Sequence, residues 1–105
     1  MRDLAAMIWA SIEQAISQST GHLFSIQSKT SLSGGSINRA YRIDGAGRNY
    51  FVKLNSADRL EMFEAEADAL RELADAKAIR IPTPICSGLD DDQSWLVTDY
   101  IAFGQ

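Results

Sequence analysis

The sequence predicts an α+β fold in which a five-stranded antiparallel sheet carries one long helix packed on it and is preceded by an N-terminal helix. Three observations predict it. An apolar stripe with helical spacing opens the chain, and a second helical pattern spans residues 58–75. Runs in which apolar and polar residues alternate, as they do in strands, lie between the two helical patterns and after the second one. The gaps between the first three runs are too short for parallel crossovers, so the sheet is antiparallel.

Composition excludes several classes of protein. The chain has 105 residues, of which 46% are apolar and 23% charged, the balance of one globular domain or part of one. The net charge of −4 argues against nucleic acid as a partner. Cys86 is the single cysteine, which excludes an internal disulfide and fits a reducing cytoplasm. Because the chain has no signal-peptide pattern and no apolar run of membrane-spanning length, we expect a cytoplasmic protein without a membrane partner.

The first helix is predicted over residues 3–18. Its apolar side chains recur every four residues at Leu4, Ile8, Ile12 and Ile16. Thr20 and Gly21 end it. Because its polar face is not basic, this stripe is expected to face the core rather than a membrane, and Trp9 is expected to pack there. His22 is the only histidine, so a metal site is not expected at this position.

The strands follow from alternation. Phe24, Ile26 and Leu32 predict a first strand, and residues 40–44 a second with Tyr41 and Ile43 on one face. Residues 44–47 form a hairpin turn by composition. In the third strand, Tyr50, Val52 and Leu54 share one face and Phe51 and Lys53 the other. Residues 85–89 and 94–101 predict a fourth and a fifth strand around the turn at Asp90, Asp91 and Asp92. A solvated turn explains these aspartates better than a metal site, and Cys86 is expected to pack in the interior.

The second helix contains a misplaced charge. Its predicted apolar face comprises Met62, Phe63, Ala69, Leu70, Leu73 and Ala74, and its polar face Glu61, Glu64, Asp68, Arg71, Glu72 and Asp75. Glu66 falls in the middle of the apolar face, where a carboxylate loses water and needs a partner. Lys53 is the nearest candidate in sequence, so we predict an ion pair between the two. The alternative is that Glu66 lies at an edge open to solvent.

A loop of small residues precedes this lysine. Residues 33–38 join the first two strands and include Gly34 and Gly35, where backbone N–H groups can approach a bulky anion. Lys53 supplies a point charge for the same anion. Together they form the phosphate-holding half of a kinase-like nucleotide site. An ordinary Gly–Ser turn beside a surface lysine is the alternative. No Gly-Lys-Ser/Thr motif occurs, and no helix follows the glycines at 45–47, which excludes a P-loop and a dinucleotide fold.

These residues resemble the N-terminal lobe of the fructosamine kinase (ketoamine kinase) family, a branch of the protein-kinase-like and aminoglycoside-phosphotransferase-like fold. The resemblance rests on the stretches at residues 34–41, 51–53, 62–66, 81–84 and 95–101, in the family's order. It implies that Gly34, Gly35, Ser36, Ile37, Asn38 and Lys53 bind the ATP phosphates. Glu66 would orient Lys53, and Thr98, Asp99, Tyr100 and Ile101 would form the adenine pocket and the hinge. Some members have a cysteine at the Ser36 position, so redox control through this loop is not expected here.

The resemblance also implies how the functions of the parent enzyme are divided between two lobes. Residues 1–22 would be an N-terminal helical segment and residues 23–105 the nucleotide-binding lobe, with the catalytic aspartate, the Mg²⁺ ligands and the sugar-binding surface in a C-terminal lobe that this chain lacks. The parent enzyme would phosphorylate a sugar hydroxyl of a glycated amine or protein. We expect the 105-residue chain alone to be inactive, with no catalytic residue or metal ligand of its own, and to self-associate through Tyr100, Ile101 and Phe103.

Two alternatives remain open from the sequence. One is the lobe of an aminoglycoside, choline or homoserine kinase-like phosphotransferase, because the residues that select the acceptor would lie in the C-terminal lobe. The other is a small α+β binding module without catalysis. The position of Glu66 on an apolar face favours a kinase, whereas the missing lobe favours the module.

Overall fold

The computed structural model describes residues 4–32, 39–76, 81–90 and 92–100. The helices are α1 (Leu4–Thr20) and α2 (Leu60–Ala76), the latter preceded by a 3₁₀ turn at Ala57–Arg59. The strands are β1 (Ser28–Leu32), β2 (Arg39–Gly45), β3 (Arg48–Ser56), β4 (Pro84–Asp90) and β5 (Gln93–Asp99). They form one antiparallel sheet in the order β1-β2-β3-β5-β4, which confirms the predicted fold class.

Helix α1 covers one face of the sheet. Ile8, Ile12 and Ile16 are buried in the same cluster as Val52 of β3 and Val97 of β5. This confirms that the four-residue stripe faces the core. Trp9 lies at the rim of the cluster, with its ring edge-on to Tyr41 of β2 at a centroid distance of 5.0 Å.

The end of α1 follows from Gly21. This residue has φ of +77°, and its N–H donates to the Ser17 carbonyl at 3.0 Å, which satisfies one of the last free carbonyls of the helix. The helix therefore continues to Thr20, slightly beyond the predicted range.

The first strand is shorter than predicted. Phe24 and Ile26 precede β1, which begins only at Ser28, and lie in an irregular connection. Two side chains of α1 form hydrogen bonds with the backbone of this connection. Ser17 Oγ accepts from the Phe24 N–H at 2.8 Å, and Glu13 Oε2 accepts from the Ile26 N–H at 2.7 Å. Phe24 is nevertheless buried, edge-on to Tyr50 at 5.0 Å. The alternating pattern therefore predicted the burial of Phe24 correctly, but its prediction of a strand at residues 24–26 was wrong.

The β2–β3 hairpin turns where its composition predicts. Ala46 and Gly47 have φ of 52° and 75°, and Gly45 and Arg48 form the last pair before the turn. Two successive positive φ values are typical of a type I′ turn, whose twist matches that of the flanking strands. The short turn fixes the register that carries Lys53 opposite Ala40.

Helix α2 packs on the opposite face, over β4 and β5. Its buried residues are Phe63 and Ala67, which cluster with Leu96 of β5. The predicted apolar face is wrong in its second half, because Ala69, Leu73 and Ala74 are exposed. In the second half of the helix, among the residues whose burial is described, Leu70 alone is half-buried, so most of the later apolar side chains are not covered by the described chain.

Strand β5 contributes the longest run of consecutive buried residues to the core. Residues 94–98 are all buried, because α1 covers the face of Trp95 and Val97 and α2 covers that of Leu96. The strand ends at Asp99 and Tyr100 is outside it, which is earlier than the predicted end at residue 101. Within the described ranges, no helix has the length and apolar character needed to cross a membrane.

Candidate functional site

Lys53 and Glu66 meet between β3 and α2. The Lys53 Nζ donates to Glu66 Oε2, and the ion pair predicted from the sequence is present. Register places Lys53 between Ala40 of β2 and Leu96 of β5, on the face that α2 covers in part. On α2, Glu66 lies beside the buried Phe63 and Ala67.

Both members of this pair retain some contact with solvent. The Lys53 side chain is 27% exposed and that of Glu66 31%. Breaking a fully buried pair costs about 3–5 kcal/mol and an exposed pair below about 1 kcal/mol, so this pair lies between the two regimes. An ammonium group that is held on one side and open on the other can bind an anion there without moving far.

The sheet face beside the pair is open. Leu32, Ala40, Lys53 and Leu96 form one row across β1, β2, β3 and β5, and Thr30, Arg42, Phe51 and Thr98 form the next. Since α2 packs over β4 and β5, the described residues place no helix over the β1 and β2 part of this face. Strand alternation placed Phe51 on the face of Lys53, as the structure confirms, but it did not assign Leu32 and Ala40 to this surface. The register of β1 and β2 relative to Lys53 puts both of them there.

The glycine loop lies outside the described residues, and so do Gly34, Gly35, Ser36, Ile37 and Asn38. Its two ends are described, and they locate it along the sheet. Leu32 and Arg39 lie at the Lys53 end of the open face, whereas Phe51 and Thr98 lie one row further away. The loop therefore begins and ends nearer to Lys53 than to Thr98.

Thr98 and Asp99 lie at the other end of the face. Thr98 is buried, and its Oγ1 donates to the Asp99 carbonyl at 3.0 Å. Asp99 also anchors the segment before β4, because its N–H donates to the Thr83 carbonyl at 3.0 Å and its Oδ1 accepts from the Thr83 N–H at 2.7 Å. Because the Asp99 N–H is already hydrogen-bonded to Thr83, the Asp99 carbonyl is the backbone group left for the expected hinge contact. Tyr100 follows, half-buried, and Ile101 lies outside the described residues.

Cys86 behaves as an interior residue, as predicted. It packs at the rim of the α1 core, and burial raises the pKa of its thiol from 9.0 to about 11, against a hydrogen bond with Ser19 that lowers it. Folding favours the protonated thiol over the thiolate. The stability that Cys86 contributes is therefore fully present below the unfolded-state pKa of 9.0, and it is lost as the pH rises through the folded-state pKa of about 11.

This shift predicts slow alkylation of Cys86. At pH 8 the folded protein should react with iodoacetamide at least tenfold more slowly than the same protein in urea, because the thiolate is the nucleophile. The folded rate should still be climbing above pH 9, where the unfolded rate levels off. Equal rates at pH 8 would show that the thiol is neither shielded nor shifted.

Other candidate sites are weaker. A cavity of about 250 Å³ is lined by Arg39, Leu54, Asn55, Ser56, Asp92 and Gln93, away from Lys53 and Glu66. In the part of the chain that the structure describes, no group of three His, Cys, Asp or Glu side chains could hold a metal ion.

Asp91 and the residues of the expected association surface at 101 and 103 lie outside that part, so self-association stays a prediction.

The comparisons with known proteins agree with this geometry. The profile of the fructosamine kinase family matches residues 8–105. The chain belongs to the fructosamine kinase family. A probable ketoamine kinase of Synechocystis is 45% identical over 97 residues, which are 92% of this chain and 33% of the relative. A probable ketoamine kinase of Escherichia coli is 34% identical over 94 residues, 90% of this chain and 32% of the relative. The chain therefore spans about a third of the length of these family members.

Solved structures show the same family and fold. The crystal structure of a protein assigned as a fructosamine-3-kinase in Haemophilus somnus superposes with a TM-score of 0.87 at 30% identity, covering 92% of this chain and 33% of that one. Aminoglycoside phosphotransferase APH(4)-Ia, in complex with ADP and hygromycin B, has a TM-score of 0.55 at 22% identity, covering 86% and 29%. The second likeness shows that the sheet and helices adopt the N-lobe fold of that wider group of kinases.

Proposed function

We propose that this chain is the nucleotide-binding lobe of an ATP-dependent ketoamine kinase that phosphorylates a sugar hydroxyl of glycated amines or proteins. The observation that carries the proposal is the Lys53–Glu66 ion pair at the border of an open sheet face. A lysine held in this way by a helix carboxylate is the arrangement that kinases use to bind the nucleotide phosphates. Membership of the fructosamine kinase family supports the choice of acceptor.

The residues of the open face fit an adenine nucleotide with one orientation. Phosphates would lie at the Lys53 end, where the loop of residues 34–38 begins and ends and can offer backbone N–H groups. Adenine would lie between the row of Lys53 and the next row, over Ala40 of the first and Phe51 of the second, and in front of Thr98. This orientation brings the charged part of ATP to the cation and the aromatic part to apolar side chains.

The hinge contacts follow from the hydrogen bonds that remain. Because the Asp99 N–H is bonded to Thr83, we assign the contact with the adenine amino group to the Asp99 carbonyl, which Thr98 Oγ1 orients. Ile101 would supply the second backbone contact. The Mg²⁺ ligands, the catalytic base and the acceptor site are assigned to a C-terminal lobe, where the kinase template places them.

The test uses the full gene product that contains this chain, assayed with ATP and a panel of acceptors. We expect phosphate transfer to lysine-linked fructosamine, ribulosamine or erythrulosamine, and none to aminoglycosides, choline or homoserine. Residues 1–105 alone serve as a control and should transfer no phosphate. Transfer only to an aminoglycoside or another alcohol would reject the ketoamine acceptor. A gene product that binds no ATP would reject the nucleotide site itself.

A further inference from the structure

Arg42 joins the open face to the segment that follows β5. Its Nε donates to Asp44 Oδ1 at 3.1 Å, its Nη2 lies 3.1 Å from the same oxygen in an ion pair, and its guanidinium carbon lies 4.8 Å from the centroid of the Tyr100 ring. Asp44 lies two residues further along the same strand, on the same face. One side chain therefore connects β2 with a residue beyond the end of β5, across the intervening strand β3.

These contacts are weak as contributions to stability. The Arg42 and Asp44 side chains are 39% and 31% exposed, and ion pairs at such exposure are worth little. Their effect is geometric instead. Two contacts with one carboxylate oxygen fix the plane of the guanidinium, and a fixed planar cation is the better partner for an aromatic face.

The position of the contact is what gives it significance. Arg42 pairs with Phe51 and Phe51 with Thr98, so the three share one row of the open face. Tyr100 comes directly after Asp99, whose N–H is bonded to Thr83 and whose carbonyl, oriented by Thr98 Oγ1, is the group assigned to adenine. Contact between Arg42 and Tyr100 thus holds the chain just past β5 against the end of the face where adenine is expected.

We propose that Arg42 is a positioning residue for nucleotide binding, which through Asp44 on one side and Tyr100 on the other holds Tyr100 and the end of β5 in the conformation that accepts adenine. This inference rests on the proposed nucleotide site. The expected effect follows from conformational selection: when only a fraction of molecules has the competent conformation, the apparent dissociation constant rises in inverse proportion to that fraction.

The experiment measures AMP-PNP binding by calorimetry in the full gene product and three variants. Arg42→Lys keeps the charge but loses the planar group, and Tyr100→Leu removes the ring. Each should raise the AMP-PNP dissociation constant about three- to tenfold. The double variant should be no weaker than the worse single variant, because both remove the same contact.

Lys29→Met is the matched control. Lys29 lies 4.4 Å from the Trp9 ring on the face that α1 covers, so this variant removes a cation–aromatic contact of the same kind away from the open face. It should leave nucleotide binding unchanged. In Arg42→Lys, amide hydrogen exchange of residues 98–100 should quicken, and KM for ATP should rise while kcat at saturating ATP stays near that of the wild type.

The outcomes separate the two proposals. If the wild type binds AMP-PNP and Arg42→Lys binds it equally well, the positioning role is overturned and the nucleotide site stands. Equal weakening in Lys29→Met would assign the effect to general stability and also overturn the role. If the wild type binds no nucleotide, both proposals fail together.

Discussion

Replacing Lys53 by alanine in the full gene product should lower kcat/KM for ATP-dependent phosphorylation of a ketoamine by about 10²–10³. Lys53 is the cation on the open face that Glu66 holds, and removal of one preorganised charge-stabilising group costs about that factor in other enzymes. Phosphoryl transfer depends almost entirely on positioning and charge stabilisation, so other groups should not compensate. Steady-state rates at several ATP concentrations provide the measurement.

Two variants test this assignment further. Lys29→Ala removes a lysine from the α1 face with the same change in net charge and should keep full activity. Glu66→Gln should have a smaller effect than Lys53→Ala, about tenfold, because the lysine remains but is less well oriented. Activity of Lys53→Ala within a factor of three of the wild type would show that Lys53 does not act on the nucleotide.

Gly45→Ala should destabilise the β2–β3 hairpin by about 3 kcal/mol. A Cβ at Gly45 would lie 2.0 Å from the Ser25 carbonyl oxygen and 3.3 Å from the Phe24 ring, so the connection between α1 and β1 would have to move. Overpacking of this kind costs about 1–3 kcal/mol, and a clash with backbone lies at the upper end. Native-state hydrogen exchange of amides in β2 and β3 measures this loss within the gene product.

Gly47→Ala is the control for Gly45→Ala. Gly47 has φ of +75°, and a Cβ added there would have no described atom within 4 Å beyond its chain neighbours. Alanine at this position therefore meets only the backbone cost of that conformation, about 1–2 kcal/mol. If the two variants lose equal stability, the close approach of Ser25 to Gly45 is not a feature of the protein in solution.

Local pattern was enough for much of the fold. The four-residue spacing of Ile8, Ile12 and Ile16 predicted which side of α1 is buried, because a helix repeats its faces with a fixed period. The composition of residues 44–47 predicted the hairpin, and Gly47 takes one of its two positive φ values, which few residues other than glycine accept. The Lys53–Glu66 pair was also predictable, since a carboxylate within an apolar stripe requires a cation and Lys53 lies on the strand that precedes the helix.

Periodicity failed where the partner surface decides the outcome. The apolar residues in the second half of α2 have helical spacing, but Leu73 is 49% exposed, whereas Phe63 and Ala67 in the first half are buried against Leu96 of β5. Phe24 and Ile26 alternate as a strand does, but Ser17 and Glu13 of α1 bind their N–H groups before a strand partner can. A spacing indicates which residues share a face, not whether another element covers that face.

The sequence alone determined the α+β class, the antiparallel sheet, the core face of α1, the hairpin turn and the pairing of Lys53 with Glu66, because each depends on residues close in the chain or on an uncompensated charge. Tertiary structure alone decided the strand order, the placement of Ala40 and Phe51 in adjacent rows of the open face, the hydrogen bond of the Asp99 N–H to Thr83 and the contact of Arg42 with Tyr100. Those features depend on the register between strands and on groups up to 58 residues apart in the chain, from Arg42 to Tyr100, which meet only once the sheet has formed. No local preference of the chain encodes them.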